Sequence, residues 1–134
     1  MKHMATFNLL EQIARHIEFL GFGTVADADT EGDIYWGRMP DTPDACVGVF
    51  SSDSQYGGSD DGARIQIVVR AKSTKAAYEL SQAIAEELVE FDGFLAGDGA
   101  HVFITPINTS SGLGCDDRNR ELYSSNFRVY YCNF

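Results

Sequence analysis

The sequence predicts an α+β domain: a mixed or antiparallel sheet with two helices packed on one face. Two segments, 8–20 and 74–91, carry single apolar stripes at helical spacing. The remaining apolar runs are short, rich in β-branched and aromatic residues, and bounded by Gly, Pro and Asp. The order reads helix, strand, strand, strand, helix, strand, strand, with no internal repeat.

Each element has a local cause. Asn8 with Glu11 fits a capping box for the first helix. Leu10, Ile13, Ala14, Ile17 and Leu20 then form its buried face, and Gly21 ends it. Residues 22–44 read as an acidic, loop-rich stretch around a short strand, Ile34-Tyr35-Trp36, after which Pro40 and Pro43 prevent regular pairing. Cys46 to Phe50 reads as a second strand, and Ser51 to Gly62 as a polar connector. Ile65, Ile67 and Val69 alternate with Gln66 and Val68, which marks a central strand.

Ser73 caps the second helix, which would span ~27 Å from Thr74 to Phe91. Ala77, Leu80, Ile84 and Leu88 form its stripe, and Lys75, Glu79, Gln82, Glu86 and Glu90 its wet face. Glu86, Glu87, Glu90 and Asp92 crowd its C-terminal end, where the macrodipole is already negative. Either that end is simply solvated, or it meets a basic patch on a neighbour. Gly93 to Gly99 is expected to break the helix, Val102 to Ile107 to form the fourth strand, and 108–121 to form a long loop. The last strand places Tyr123, Ser125, Phe127, Val129 and Tyr131 on one face and Leu122, Ser124, Asn126, Arg128 and Tyr130 on the other. Both faces are contact-rich, which points to an assembly subunit.

Bulk properties bound the function. The 134 residues make one domain, 5–134, after Met1-Lys2-His3-Met4, which reads as a vector-derived scar. The net charge of −10 argues against gripping DNA through its phosphates, because that requires clustered Lys and Arg. Three cysteines without CxxC spacing argue against a secreted disulfide framework. No apolar run approaches the ~20 residues of a membrane span, and no signal peptide is visible.

Candidate chemistry is sparse, and no catalytic residue, metal site or cofactor is expected. Asp27 to Ile34 imitates the first half of an EF-hand loop, but Arg38 stands where a bidentate Glu is required. Cys115 and His101 have no evident orienting partner, and His16 reads as partly exposed on the first helix. Gly112-Leu113-Gly114 lacks the Lys-Ser/Thr pair of a phosphate loop. Arg118 and Arg120 have two readings. They pair locally with Asp116, Asp117 or Glu121, or they reach acids on a neighbouring subunit, in which case reversing both charges would weaken assembly without affecting the fold. The candidate interface is therefore Arg118, Arg120, Asp116, Asp117, Tyr123, Phe127 and Tyr131.

Three segments carry a resemblance. They are Gly114-x-Asp116-x-x-x-Arg120 followed by Tyr123-Ser124-x-Asn126-Phe127-x-Val129; Tyr35-Trp36-Gly37-Arg38-Met39-Pro40-Asp41-Thr42-Pro43-Asp44; and Ile65 to Ala71 before a helix. In this order they resemble the small minor capsid or tail-completion proteins of long-tailed bacteriophages, the tail-terminator group. The resemblance implies a virion structural protein with an α+β fold, assembled in the bacterial cytoplasm, that caps the tail tube at the head–tail junction. It implies a ring of copies, most simply a hexamer, with the tube protein and the head-completion or connector protein as partners. DNA would pass through the lumen without specific binding, and no membrane is involved. The alternatives are another head–tail joining or capsid-associated phage protein, or a small α+β ligand-binding domain or enzyme.

Overall fold

The structure, a computed structural model, describes residues 6–51, 62–96 and 101–131. Its elements are α1 (Thr6–Phe19), β1 (Ile34–Trp36), β2 (Cys46–Ser51), β3 (Ala63–Ala71), α2 (Thr74–Leu88), β4 (Asp92–Phe94), β5 (His101–Cys115) and β6 (Glu121–Tyr131). The six strands form one mixed sheet in the order β1-β2-β3-β6-β5-β4. Among these strands the β1–β2 pair alone is parallel, and an isolated parallel bridge joins Val25 to Ile34. The fold is α+β, as the sequence predicts.

The register explains the core. Val47 and Val49 of β2 lie opposite Val69 and Ile67 of β3. Ile65 lies opposite Phe127, and Val129 opposite Ile104. Side chains alternate along a strand, so these residues share one face, and each is at most 2% exposed. Leu9, Ile13 and Ile17 of α1 and Ile84 and Leu88 of α2 join the same apolar cluster. The first helix packs against β1 and β2, the second against β3, β5 and β6. The opposite sheet face is polar along one register row, from Gln66 through Asn126 to Asn108.

The helix ends follow local chemistry. The Ser73 hydroxyl accepts the N–H of Ala76 at 3.1 Å, the N-cap expected from sequence. Gly21 takes φ +97° just past α1, a conformation that suits glycine. The first helix begins at Thr6, earlier than expected, and the Asn8 side chain expected to cap it lies outside the described residues. Gln12 and His16 are buried on α1 beside the predicted stripe, whereas Leu20 is only half-buried.

Three boundaries differ from expectation. The second helix ends at Leu88, not near 91, because Val89 is already extended and Glu90 takes φ 59°. The chain then runs along the sheet edge as β4, a strand that overlaps the start of the expected helix break at Gly93. On α2, Ser81 and Ala85 join the buried stripe, while Leu80 and Gln82 are half-buried.

The largest difference is the segment expected as a loop from 108 to 121. Most of it is strand: β5 continues to Cys115 and stays paired with β6. Polar side chains on an exposed hairpin do not prevent a backbone ladder. Extra residues are absorbed by register shifts between Pro106 and Asn108, Asn108 and Ser111, and Gly112 and Gly114. Ser110 takes φ 52° at one shift. Its N–H donates to Ser125 Oγ at 2.9 Å, and its hydroxyl donates to Gln82 Oε1 at 2.9 Å. That pins the irregular stretch to α2. The 51–62 connector falls almost wholly outside the described residues.

Ile84 sits 1% exposed in the cluster. Ile84→Asp should cost on the order of several kcal/mol and abolish cooperative melting, because no buried partner awaits the charge. Leu80→Asp, at a half-buried site, should leave a folded but less stable protein. Circular dichroism melts of the two variants check both outcomes.

Candidate functional site

The best-defined polar site is the tip of the β5–β6 hairpin and the loop it holds. Asp116 organises the tip. Its Oδ1 accepts the N–H of Arg118 at 3.0 Å and of Arg120 at 2.9 Å. Its own N–H donates to the Arg120 carbonyl at 2.9 Å. Asn119 takes φ 61°, a conformation its short side chain tolerates.

This turn drives the Arg120 side chain inward, where the residue is 3% exposed. Nε donates to Asp116 Oδ2 at 2.9 Å. Nη1 donates to the Asp41 carbonyl at 2.6 Å and to Asp44 Oδ1 at 3.2 Å. Nη2 donates to Asp41 Oδ1 at 2.8 Å. A guanidinium offers five donors in a planar fork, which suits a site where three carboxylates and a carbonyl converge.

A second buried arginine completes the clamp. Arg70, on β3, donates from Nε to the Asp44 carbonyl at 3.1 Å and from Nη2 to the carbonyls of Pro40 at 2.8 Å and Pro43 at 2.6 Å. The two prolines bring no N–H of their own, and the loop carbonyls need donors from elsewhere. Lys72 Nζ lies 3.5 Å from Asp44 Oδ2, and Arg118 Nη2 lies 2.9 Å from Asp41 Oδ2 at the exposed rim.

Charge states follow from these contacts. The Arg120 N–H holds the Asp116 carboxyl down at about 2, outweighing partial desolvation, with the guanidinium and the Arg118 N–H adding to it. Desolvation opposes the charged form of Asp44, but Lys72 and Arg120 overcome it and lower its pKa.

The expected interface residues therefore divide. Asp116, Arg118 and Arg120 meet at the hairpin tip, and Asp117 is exposed there. Tyr123 is half-buried, its ring edge-on to Tyr78 of α2 at 5.6 Å. Phe127 is fully buried, which corrects its reading as a contact residue: opposite Ile65, it faces the core. Arg120 needs the same correction. Its charge is taken up by acids of its own chain, so reversing it disturbs the fold. Its local partner is Asp116, while Glu121 instead accepts from Cys115 Sγ at 3.0 Å. Tyr131 belongs to β6, and its side chain lies outside the described residues.

The other candidates separate. Cys115 and His101 stand at opposite ends of β5, about 46 Å apart at ideal strand rise. The hydrogen bond to Glu121 raises the Cys115 thiol pKa. His16 is buried, not partly exposed as expected. Its Nδ1 accepts the Ala96 N–H at 3.1 Å, and burial lowers its pKa against the opposing charge of Glu87. In the acidic run, Asp27 Oδ1 accepts the Asp29 N–H, Asp33 Oδ1 accepts the Thr24 N–H, and Arg15 lies 3.6 Å from Asp27. Among the described residues, no group of three or more His, Cys, Asp or Glu is placed to hold a metal.

Sequence reasoning missed Asp41 and Asp44 as partners of Arg120, because 79 and 76 positions separate them. A signal was present all the same. Two of the quoted segments, one ending Asp41-Thr42-Pro43-Asp44 and the other opening Gly114-x-Asp116-x-x-x-Arg120, are joined by this arginine.

Fold and site together define a small α+β domain in which a hydrogen-bonded charge cluster ties an exposed hairpin to a loop with two prolines. The family model described as bacteriophage tail terminator protein matches residues 23–131, and the chain belongs to that family. The matched span contains the whole clamp and all six strands in full. No curated protein matches the chain. The family is one of phage tail components, and among the described residues no helix is long and apolar enough to cross a membrane.

Arg120→Ala should strand buried acceptors and lower Tm by many degrees, whereas Arg118→Ala, at an exposed pair, should cost at most about 1 kcal/mol. Thermal melts of the two variants make the comparison. Asp116 also sets an acid limit. Its folded pKa lies below the ordinary value of 3.8, so its contribution is complete above that value and is lost as pH falls toward about 2. The wild-type Tm should therefore fall across that window. Asp116→Asn should start lower and show a shallower fall in the same titration.

Proposed function

We propose that this chain is the terminator subunit at the head–tail junction. It forms a ring, most simply a hexamer, that caps the tail tube, stops its growth and receives the head-completion or connector protein. The function is binding, not catalysis. Family membership supports the terminator role.

The observation that carries the assembly reading is the exposed far end of the hairpin, held by the Asp116 and Arg120 hydrogen bonds. Leu113 is 52% exposed there, and Tyr78 of α2 presents a further exposed ring beside Tyr123. Asp117 and Arg118 stand at the tip, which Arg120 and Asp116 hold in one shape. A contact element fixed before binding loses little conformational freedom on association. Head-to-tail contacts between such subunits close into a ring when the rotation permits. In this reading both helices cover the apolar sheet face, and DNA passes through the lumen without being gripped.

With a net charge of −10, copies repel one another at low salt, so raising the salt should favour the ring. Light scattering across salt and protein concentration, repeated with purified tail tubes, tests this. Rings or capped tubes of fixed length are the expected outcome. A strictly monomeric protein that neither joins tubes nor limits their length overturns the proposal.

A further inference from the structure

The sheet face that α2 does not cover carries chemistry the clamp leaves unused. Side chains alternate along a strand, so the residues between the core positions of β3, β5 and β6 point away from α2. Arg64 of β3 lies opposite Arg128 of β6, which lies opposite Thr105 of β5. The next row runs from Tyr130 through Phe103 to Asp92, and the last pairs His101 with Phe94. Phe103 stacks on Tyr130 at 6.4 Å, and Phe94 packs on His101 at 5.0 Å. Phe94 is 70% exposed, and Phe103 and Tyr130 are also exposed. Adjacent rings in water are costly and are typical of binding hot spots.

The charge of this face runs against the sign of the chain. Arg64 is exposed and, among the described residues, pairs with no acid. Arg128 makes an interaction within its own chain, yet like charges directly opposite on neighbouring strands repel. Arg70, on the same face, is buried against the carbonyls of the 40–44 loop. Among the described strand residues of this face the one acid is Asp92, 3.1 Å from His101. A carboxylate from outside would relieve the repulsion around Arg64, and the rings beside it offer apolar area.

The chain itself supplies such carboxylates, with 20 acids to 10 Lys and Arg. Glu86 and Glu90 are exposed where α2 ends and, among the described residues, pair with no cation. No basic residue occupies the last turn of α2, so its carbonyl end adds to their negative potential. Because α2 packs on the core face, these acids and Arg64 lie on opposite sides of the sheet and meet only between two chains. We infer that the open sheet face of one copy docks on the acidic end of α2 of a second copy. Arg64 faces Glu86, with Arg128 and Glu90 beside them, and Phe94 and Phe103 supply apolar area. The two surfaces differ, so the contact is heterologous, the kind that closes into a ring. This deepens the assembly proposed above and rests on it for the partner being a like subunit. It adds to the hairpin-tip contact, which lies at the other end of β5. The apolar part lets it persist at salt that screens the long-range repulsion between copies.

The test is a charge swap. Self-association of the full chain is measured by sedimentation at moderate salt, free and on purified tail tubes. Arg64→Glu and Glu86→Arg should each weaken it about tenfold, and the double variant should recover most of the loss. Glu86→Arg also makes the chain less negative, so net repulsion alone predicts tighter association, and weakening is specific to the contact. Thermal melts report the fold. If Arg64→Glu melts early, Phe94→Ala, at the exposed ring, takes its place and should give the same loss. Unaltered association in folded variants, a double variant without recovery, or recovery of Arg64→Glu by Asp29→Arg/Glu31→Arg instead each overturns the inference. Unaltered association in variants that still cap tubes removes this contact and leaves the terminator role standing. Association that follows the charge swap, by a protein that neither joins nor limits tubes, removes the terminator role and leaves the contact. A chain that self-associates in neither setting removes the contact.

Discussion

Arg120 is the constraint on which the ordered polar half of this domain depends. A guanidinium at 3% exposure is tolerable only if its donors find acceptors, and here three aspartates and a backbone carbonyl supply them. The contact couples two segments that have little means of holding themselves. The 40–44 loop contains two prolines and joins no strand pair, and the hairpin tip lies beyond the apolar core. Arg70 reinforces the loop from β3, so the central strand, the loop and the hairpin behave as one unit. Removing one member leaves charges or carbonyls without partners in a partly desolvated place, which is why such networks act all together or not at all.

Much of the fold was legible because its core obeys simple periodicities. Ile65, Ile67 and Val69 alternate as a half-buried strand must, and Ile84 and Leu88 recur as a buried helix face must. What failed was chain whose conformation is set by distant partners. Thr109 to Cys115 reads as loop by composition, yet it is strand, because β6 offers a ladder and Ser110 finds Ser125 and Gln82. The three residues of β4 carry too little pattern to register as a strand at all. The site was half legible. The pairing of Arg120 with Asp116 lies within one turn and was foreseen as one of two readings. Its pairing with Asp41 and Asp44 needs the fold to bring the loop across. Phe127 misled for a related reason: alternation gives the two faces of a strand but does not say which one is wet.

The domain separates its tasks along one long element. The fifth strand carries the clamped hairpin at one end and exposed aromatic rings at the other, with the apolar core beneath its first residues. Surfaces separated in this way can each be tuned without repacking the other.

The outer side of β5 carries a further meaning. The short β4 pairs only with His101 to Phe103, so the rest of β5 forms a sheet margin. That margin is broken by Pro106, which has no N–H to offer, and by repeated register shifts. Straight, regular margins invite another chain to add a strand, and each added strand presents the next margin. Here the margin is uneven, and the invitation is withdrawn. At this end of the sheet, a proline and repeated register shifts make the backbone a poor template for strand addition.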